Sequence, residues 1–300
     1  MEKIRNDING WLVVDKPVNM GSTDVVRELK HLMHPMKIGH GGTLDPFASG
    51  VLPIALGKAT RTVSYAMDGL KTYEFIIRFG VQTATDDLDG DVIATNEMRP
   101  TAEQIESVLP RFIGDIDQMP PAYSALKVNG KRAYDLIRNG IQPDLKSRKI
   151  HVESLRLTDV ISADEMRFEV VCGKGTYVRS LGRDIASAVG CLGHLSFLRR
   201  TACGAFTIKD AFLLDKIKDL WYKDELVGRL YSIQTVLSDI LELALTEEQA
   251  RFLSHGQSLK APDGVKQGMT YKATLNGLLV AFVLVDGNLI RPTKVFKQFN

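Results

Sequence analysis

"GHGGTLDPFASG", residues 39–50, sets four glycines and a proline around one acid, Asp45, held between Leu44 and Pro46. Glycine-rich loops usually bind phosphate through bare backbone N–H groups, and a carboxylate at the centre would repel that anion. The stretch holds no G-x-G-x-x-G. In the "LGKAT" that follows (56–60), the place where a P-loop needs its first glycine is Leu52. Nucleotide hydrolysis is therefore disfavoured. A lone Asp before Pro commonly caps a turn. Alternatively, the glycines let a substrate come close while Pro46 stiffens the chain behind a nucleophile or base. An ionised carboxylate in so tight an apolar loop needs a cationic partner. Arg179 and Arg183, one helical turn apart in "TYVRSLGRDIASAVG" (176–190), are a source.

Outward from this loop, "WLVVD" (11–15) reads as a short buried strand. "STDVVRELKHLM" (22–33) reads as a capped helix with Val26, Leu29 and Met33 on one face. "TYEFIIRF" alternates, placing Tyr73, Phe75, Ile77 and Phe79 on one side of a half-buried strand. Thr101-x-x-Gln104 is a capping box ahead of an apolar stripe of Ile105, Val108, Leu109 and Phe112. "KRAYDLIRNG" is a short basic helix ended by Gly140. "KIHVESLRL" and "MRFEVVCG" alternate as strands, and residues 176–190 form a helix with Val178, Leu181, Ile185 and Val189 inward. Strands and helices mix without a regular βαβ beat, which predicts an α+β fold with a mixed, mostly antiparallel sheet. Beyond residue 238 a helix and short strands with Asn276-Gly277 and Asp286-Gly287 turns predict a small β-rich module.

The chain of 300 residues, 44% hydrophobic and 25% charged, matches an ordinary globular protein with a large core and no need of staples. Its three cysteines, Cys172, Cys191 and Cys203, are odd in number and lack a CxxC spacing, which argues for a reducing compartment. The polar start and the lack of a long apolar run predict no signal peptide and no membrane span, hence a cytoplasmic protein. Asp86, Asp87, Asp89 and Asp91 fit no calcium-loop register and read as a solvated hairpin turn. His31, His34 and His40 lack partners at zinc spacing, and no G-x-S-x-G elbow or Cys–His pair appears. Net charge is only +2, yet residues 127–149 carry seven basic side chains against Asp135 and Asp144. Such a segment is either an electrostatic footprint for a polyanion or a solvated loop.

"KIGHGGTLDPFASGVLPIALGKATR" (37–61) resembles the signature of the TruB family, the bacterial tRNA pseudouridine-55 synthases. Five further segments stand in the family's order around it. They are "DKP" (15–17), "KTYEF" (71–75), "PPAYSALKVNGKRAYDLIRNG" (120–140), "GTYVRSLGRDI" (175–185) and "LRRTACGAF" (198–206). The resemblance implies a pseudouridine-synthase catalytic domain over residues 1–239, with a basic RNA-gripping insertion near 124–150. A PUA-like RNA-binding module follows over 240–300. The implied partner is the T stem-loop of tRNA, taken by a monomer that uses no metal or organic cofactor.

Residue by residue, the resemblance makes Asp45 the catalytic aspartate, which attacks a flipped nucleoside or removes a proton from it. Arg179 would hold Asp45 ionised through a salt bridge. Tyr73 would stack on the target base and assist proton transfer. Tyr177 and Leu198 would complete the pocket wall, and His40 would fill the space the base vacates. Lys127, Lys146, Arg148 and Lys149 would meet the RNA. Extrusion makes physical sense, because a base inside a folded loop cannot otherwise be reached. The chain departs from the family pattern at Gly41, where Thr is usual, and at Asn19 and Gly21, where Gly and Thr are usual. Two other readings compete. A non-catalytic RNA-binding or RNA-folding protein on the same scaffold would not need Asp45, Tyr73 and Arg179 together. A carboxylate-dependent glycosidase would need a second acid, which the motif segments do not offer.

Overall fold

The strand Ser49–Leu56, which continues directly from the Asp45 loop, is buried at every position. Its run is apolar without alternation because both faces are covered. Leu52 and Ile54 enter the main core with Leu12 and Val14, whereas Val51 and Ala55 join Trp11, Val13 and Phe206 on the other side. The computed structural model describes residues 5–124, 126–128, 130–238 and 240–296, and of Lys127 and Arg132 the backbone alone.

Ser49–Leu56 lies second in a large mixed sheet. The order is Gly10–Lys16, Ser49–Leu56, Gly193–Cys203, Lys71–Phe79, Glu165–Cys172, Arg148–Val160 and Gly114–Gln118. The pairing of Gly193–Cys203 with Ser49–Leu56 is parallel and the other neighbours along this path are antiparallel. This is the α+β, mostly antiparallel arrangement that the alternating strands predict. Tyr73, Phe75, Ile77 and Phe79 are all buried, and Phe75 stacks on Phe168 of the neighbouring strand. The helix Val178–Ala188 packs Val178, Leu181 and Ile185 on this face. Gly182 makes the close approach possible, since a Cβ there would stand 2.5 Å from Leu195.

One local expectation is corrected. In the helix Ser22–Met33 the buried apolar positions are Val25, Leu29 and Met33, with Val26 only partly covered. The buried residues form an i, i+4, i+8 row, with Val26 packed at its margin. The helix is capped as predicted: Gly21 occupies the N-cap position, and Asp24 accepts its N–H. The capping box at Thr101 and Gln104 is present in both directions.

The C-terminal strands form a separate five-stranded sheet covered by the helix Glu247–Ser254. Asn276 and Gly277 both take positive φ, as a tight two-residue hairpin requires. The sheet is not isolated from the rest. Leu279, Phe282 and Phe296 share a core with Leu237, and Tyr65 stacks on Phe282 at 4.2 Å between centroids. The three cysteines are free and buried. Among the described residues, no helix is long and apolar enough to cross a membrane.

Candidate active site

Three elements meet at the Asp45 loop: the strand Lys71–Phe79, the N-terminal turn of the helix Val178–Ala188 and the strand Gly193–Cys203. Together they enclose a cavity of about 400 Å³ whose walls include Asp45, Tyr73, Tyr177, Arg179 and Leu198. Leu126, from the start of the basic segment, also lines it. The size and the largely apolar walls with a few convergent polar groups suit a small flat ligand.

Arg179 organises the charge. Its Nη2 lies 2.9 Å from Asp45 Oδ2 and its Nη1 lies 3.3 Å from Asp87 Oδ2. The same guanidinium donates to the backbone carbonyls of Thr85 and Tyr123, at 2.8 and 3.1 Å. Its side chain is 5% exposed, so rotation is blocked and the fork points one way only. Asp87 is equally buried, accepts the Thr85 hydroxyl and accepts the Asp89 N–H at 3.0 Å. Burial pushes its carboxyl above the ordinary aspartate value, against the pull of Thr85 and Arg179. Arg183 repeats the arrangement one turn on, 2.9 Å from Asp86.

The expected solvated turn at Asp86–Asp91 is therefore wrong for its first two acids. They are buried and face the two arginines of the helix. Acid–acid beside a turn, with Arg-x-x-x-Arg elsewhere, was the available signal. Spacing alone cannot place the two segments opposite each other. Among the described residues no group of three or more metal-ligating side chains comes together.

Tyr73 sits in the pocket wall, and burial raises its phenol to about 12 while Arg200 pulls the other way. It stays a neutral ring with a hydroxyl donor across the physiological range. Arg200 is itself 1% exposed, 6.0 Å from the Tyr73 ring centroid, and donates to the carbonyls of Val51 and Gly42. His40 lies in the strand Ile38–His40 and does not line the cavity. Burial and Arg200 hold its imidazole below the ordinary histidine value. Gly41 is packed against Trp11 and Ala66, each 3.2 Å from where a Cβ would stand. Asn19 takes a left-handed φ of 62°, a conformation Asn tolerates in place of glycine.

The basic segment also touches the cavity wall through Arg148. Arg148 lies over the Tyr177 ring, 5.5 Å from its centroid. Lys149 stands 3.8 Å from Asp117, and Lys146 is exposed. The Lys127 side chain lies outside the described residues.

The long mixed sheet that carries this pocket aligns with solved pseudouridine-synthase-type folds. A solved Cbf5–Nop10–Gar1 complex aligns with a TM-score of 0.76 at 27% identity, covering 95% of this chain and 84% of that one. An H/ACA RNP bound to a substrate RNA containing 2′-deoxyuridine aligns at 0.74 and 24%, covering 96% and 84%, and supports the fold alone. Residues 30–178 match the TruB family pseudouridylate synthase N-terminal domain, and residues 179–242 match the tRNA pseudouridylate synthase B C-terminal domain. The chain is 48% identical to tRNA pseudouridine synthase B of Rhodospirillum rubrum, covering 96% of each chain. It is 46% identical to the protein of that name in Cereibacter sphaeroides, again over 96% of each. The chain belongs to the TruB family of pseudouridylate synthases.

Proposed function

We propose that this chain is a tRNA pseudouridine synthase, an isomerase that converts uridine 55 of the T loop to pseudouridine with Asp45 as its catalytic group. In that reaction the N1–C1′ bond breaks, the uracil turns in place, and C5 bonds to C1′. The proton lost from C5 is balanced by one gained at N1. The observation that carries the reading is the Asp45 carboxylate, 37% exposed to the cavity yet held 2.9 Å from a buried arginine. Such a group reaches a substrate atom without first having to be oriented.

The remaining side chains take roles that fit their places. Tyr73 offers a neutral aromatic face to the extruded base, and such stacking contributes about 1–3 kcal/mol. Tyr177 and Leu198 close the pocket, and a neutral His40 fills the gap left in the loop. Lys127, Lys146, Arg148 and Lys149 grip phosphates. Residues 1–239 act as the catalytic domain and 240–300 as a PUA-like RNA-binding module. The chain works as a cytoplasmic monomer and needs no metal or organic cofactor. A purely RNA-folding role is less well supported, because affinity alone gives no reason to fix a carboxylate in a pocket.

The direct test is an unmodified tRNA transcript incubated with the protein and analysed for pseudouridine. Product at position 55, lost in Asp45→Asn with affinity kept within a few-fold, supports the reading. Conversion by Asp45→Asn at the normal rate refutes the role of Asp45.

A further inference from the structure

Ser22 is the first residue of the helix Ser22–Met33, directly after its N-cap Gly21, and its hydroxyl bonds outside the helix. It accepts the backbone N–H of Leu44 at 2.8 Å and donates to the carbonyl of the same residue at 2.9 Å. Ser22 is buried, at 3% exposure, and Leu44 is buried beside it. One hydroxyl thus does for Leu44 what a neighbouring strand would do, satisfying its backbone donor and its acceptor. The Leu44 carbonyl belongs to the peptide unit that leads into Asp45. Its direction sets the plane from which the Asp45 side chain departs.

The grip continues on the far side. The Pro46 carbonyl accepts the Asn19 N–H at 2.8 Å and the Lys16 ammonium at 3.3 Å, and the Asp45 carbonyl accepts the Ala48 N–H at 3.1 Å. All three carbonyls across the Asp45 turn are therefore held, two of them by the segment between Lys16 and Ser22. Lys16 is fixed in turn by the carbonyls of Pro17 and Met20. Arg179 holds only the end of the Asp45 side chain, so the backbone grip decides where that side chain begins.

We propose that Ser22 is a positioning residue for Asp45, fixing the peptide plane that aims the carboxylate into the cavity. The inference rests on Asp45 being the catalytic group. Misplacing a reacting group by about 1 Å can cost on the order of a hundredfold in rate. Loss of the Ser22 hydroxyl strands two buried backbone groups and lets the turn shift to find other partners.

The test is single-turnover conversion of tRNA at saturating enzyme, with affinity measured separately, for wild type, Ser22→Ala, Ser22→Thr and Asp45→Asn. Ser22→Ala should lower the rate constant about 10- to 100-fold while affinity stays within a few-fold. Ser22→Thr, which keeps the hydroxyl, should recover most of the loss. A merely structural role would lower the reacting amplitude, through the folded fraction, and leave the rate constant alone. Should Ser22→Ala not fold, Ser22→Cys fills the same space with a weaker donor and acceptor and is read in the same way. A normal rate constant in the folded variant, or a loss confined to affinity, overturns the inference. An active Asp45→Asn would instead overturn the role of Asp45, so the two failures are distinguishable.

Discussion

Arg179 Nη2 stands 2.9 Å from Asp45 Oδ2, with the arginine buried and the aspartate open to the cavity. The asymmetry matters because the buried partner is itself held from behind. Thr85, Tyr123 and Asp87 fix the guanidinium before any substrate arrives. Orientation of the carboxylate is therefore settled in the free protein.

Asp87→Asn should lower the single-turnover rate by roughly tenfold or more while leaving tRNA affinity within a few-fold. The amide keeps the shape of the carboxylate but loses the charge that anchors the back of Arg179. Burial already favours a neutral group at Asp87, so the melting temperature should fall little. Single-turnover kinetics beside a thermal melt checks both halves. Arg179→Lys should be worse, because an ammonium cannot span Asp45 and Asp87 as a planar fork does.

Acidification should destabilise the protein through His40. Its imidazole is held below the ordinary histidine value by burial and by Arg200. Above that value neither folded nor unfolded chain is protonated there, and the group costs nothing. As pH falls through it, the unfolded chain takes a proton that the folded one refuses, so stability is lost. His40→Phe removes this effect. Its melting temperature should gain on that of the wild type as pH drops from about 7.5 to about 5.5, below the usual histidine value. A constant difference between the two melting curves would contradict it.

Replacing Lys146, Arg148 and Lys149 together with Gln should lower the slope of log K against log salt by roughly 2, given about 0.7–0.9 per phosphate contact. Affinity should fall clearly at low salt and little at high salt. Lys149 already faces Asp117, so its own share should be the smallest. An unchanged slope, measured across a salt titration, would mark the segment as a solvated loop.

Removing residues 240–300 should weaken tRNA binding more than it slows single-turnover chemistry at saturating enzyme, since the cavity residues all precede them. The cut also uncovers Leu237 and Tyr65, which lose Phe282 and its neighbours. The truncated chain should therefore melt lower than the intact one. Normal binding with lost chemistry in a folded truncation would reject the division.

Much of this protein was legible in its residue order. The Asp45 loop announced itself by glycines and proline around one acid, and the alternation of Tyr73, Phe75, Ile77 and Phe79 gave a buried strand face that the structure repeats. The Thr101–Gln104 capping box formed as written. These signals are local: a period of two, a fixed offset of three and a turn residue act over a few neighbours. Tertiary structure alone decided that Asp87 turns inward to Arg179, 92 positions away in sequence, rather than outward to water. It also took Ser22 from its helix end to the Leu44 backbone and set Tyr65 against Phe282. A short polar side chain bonds whichever buried partner lies nearest, and a charge goes inward only where an opposite charge or a set of backbone carbonyls meets it. Both conditions depend on which strands the fold lays side by side, and that order is absent from any short stretch of sequence.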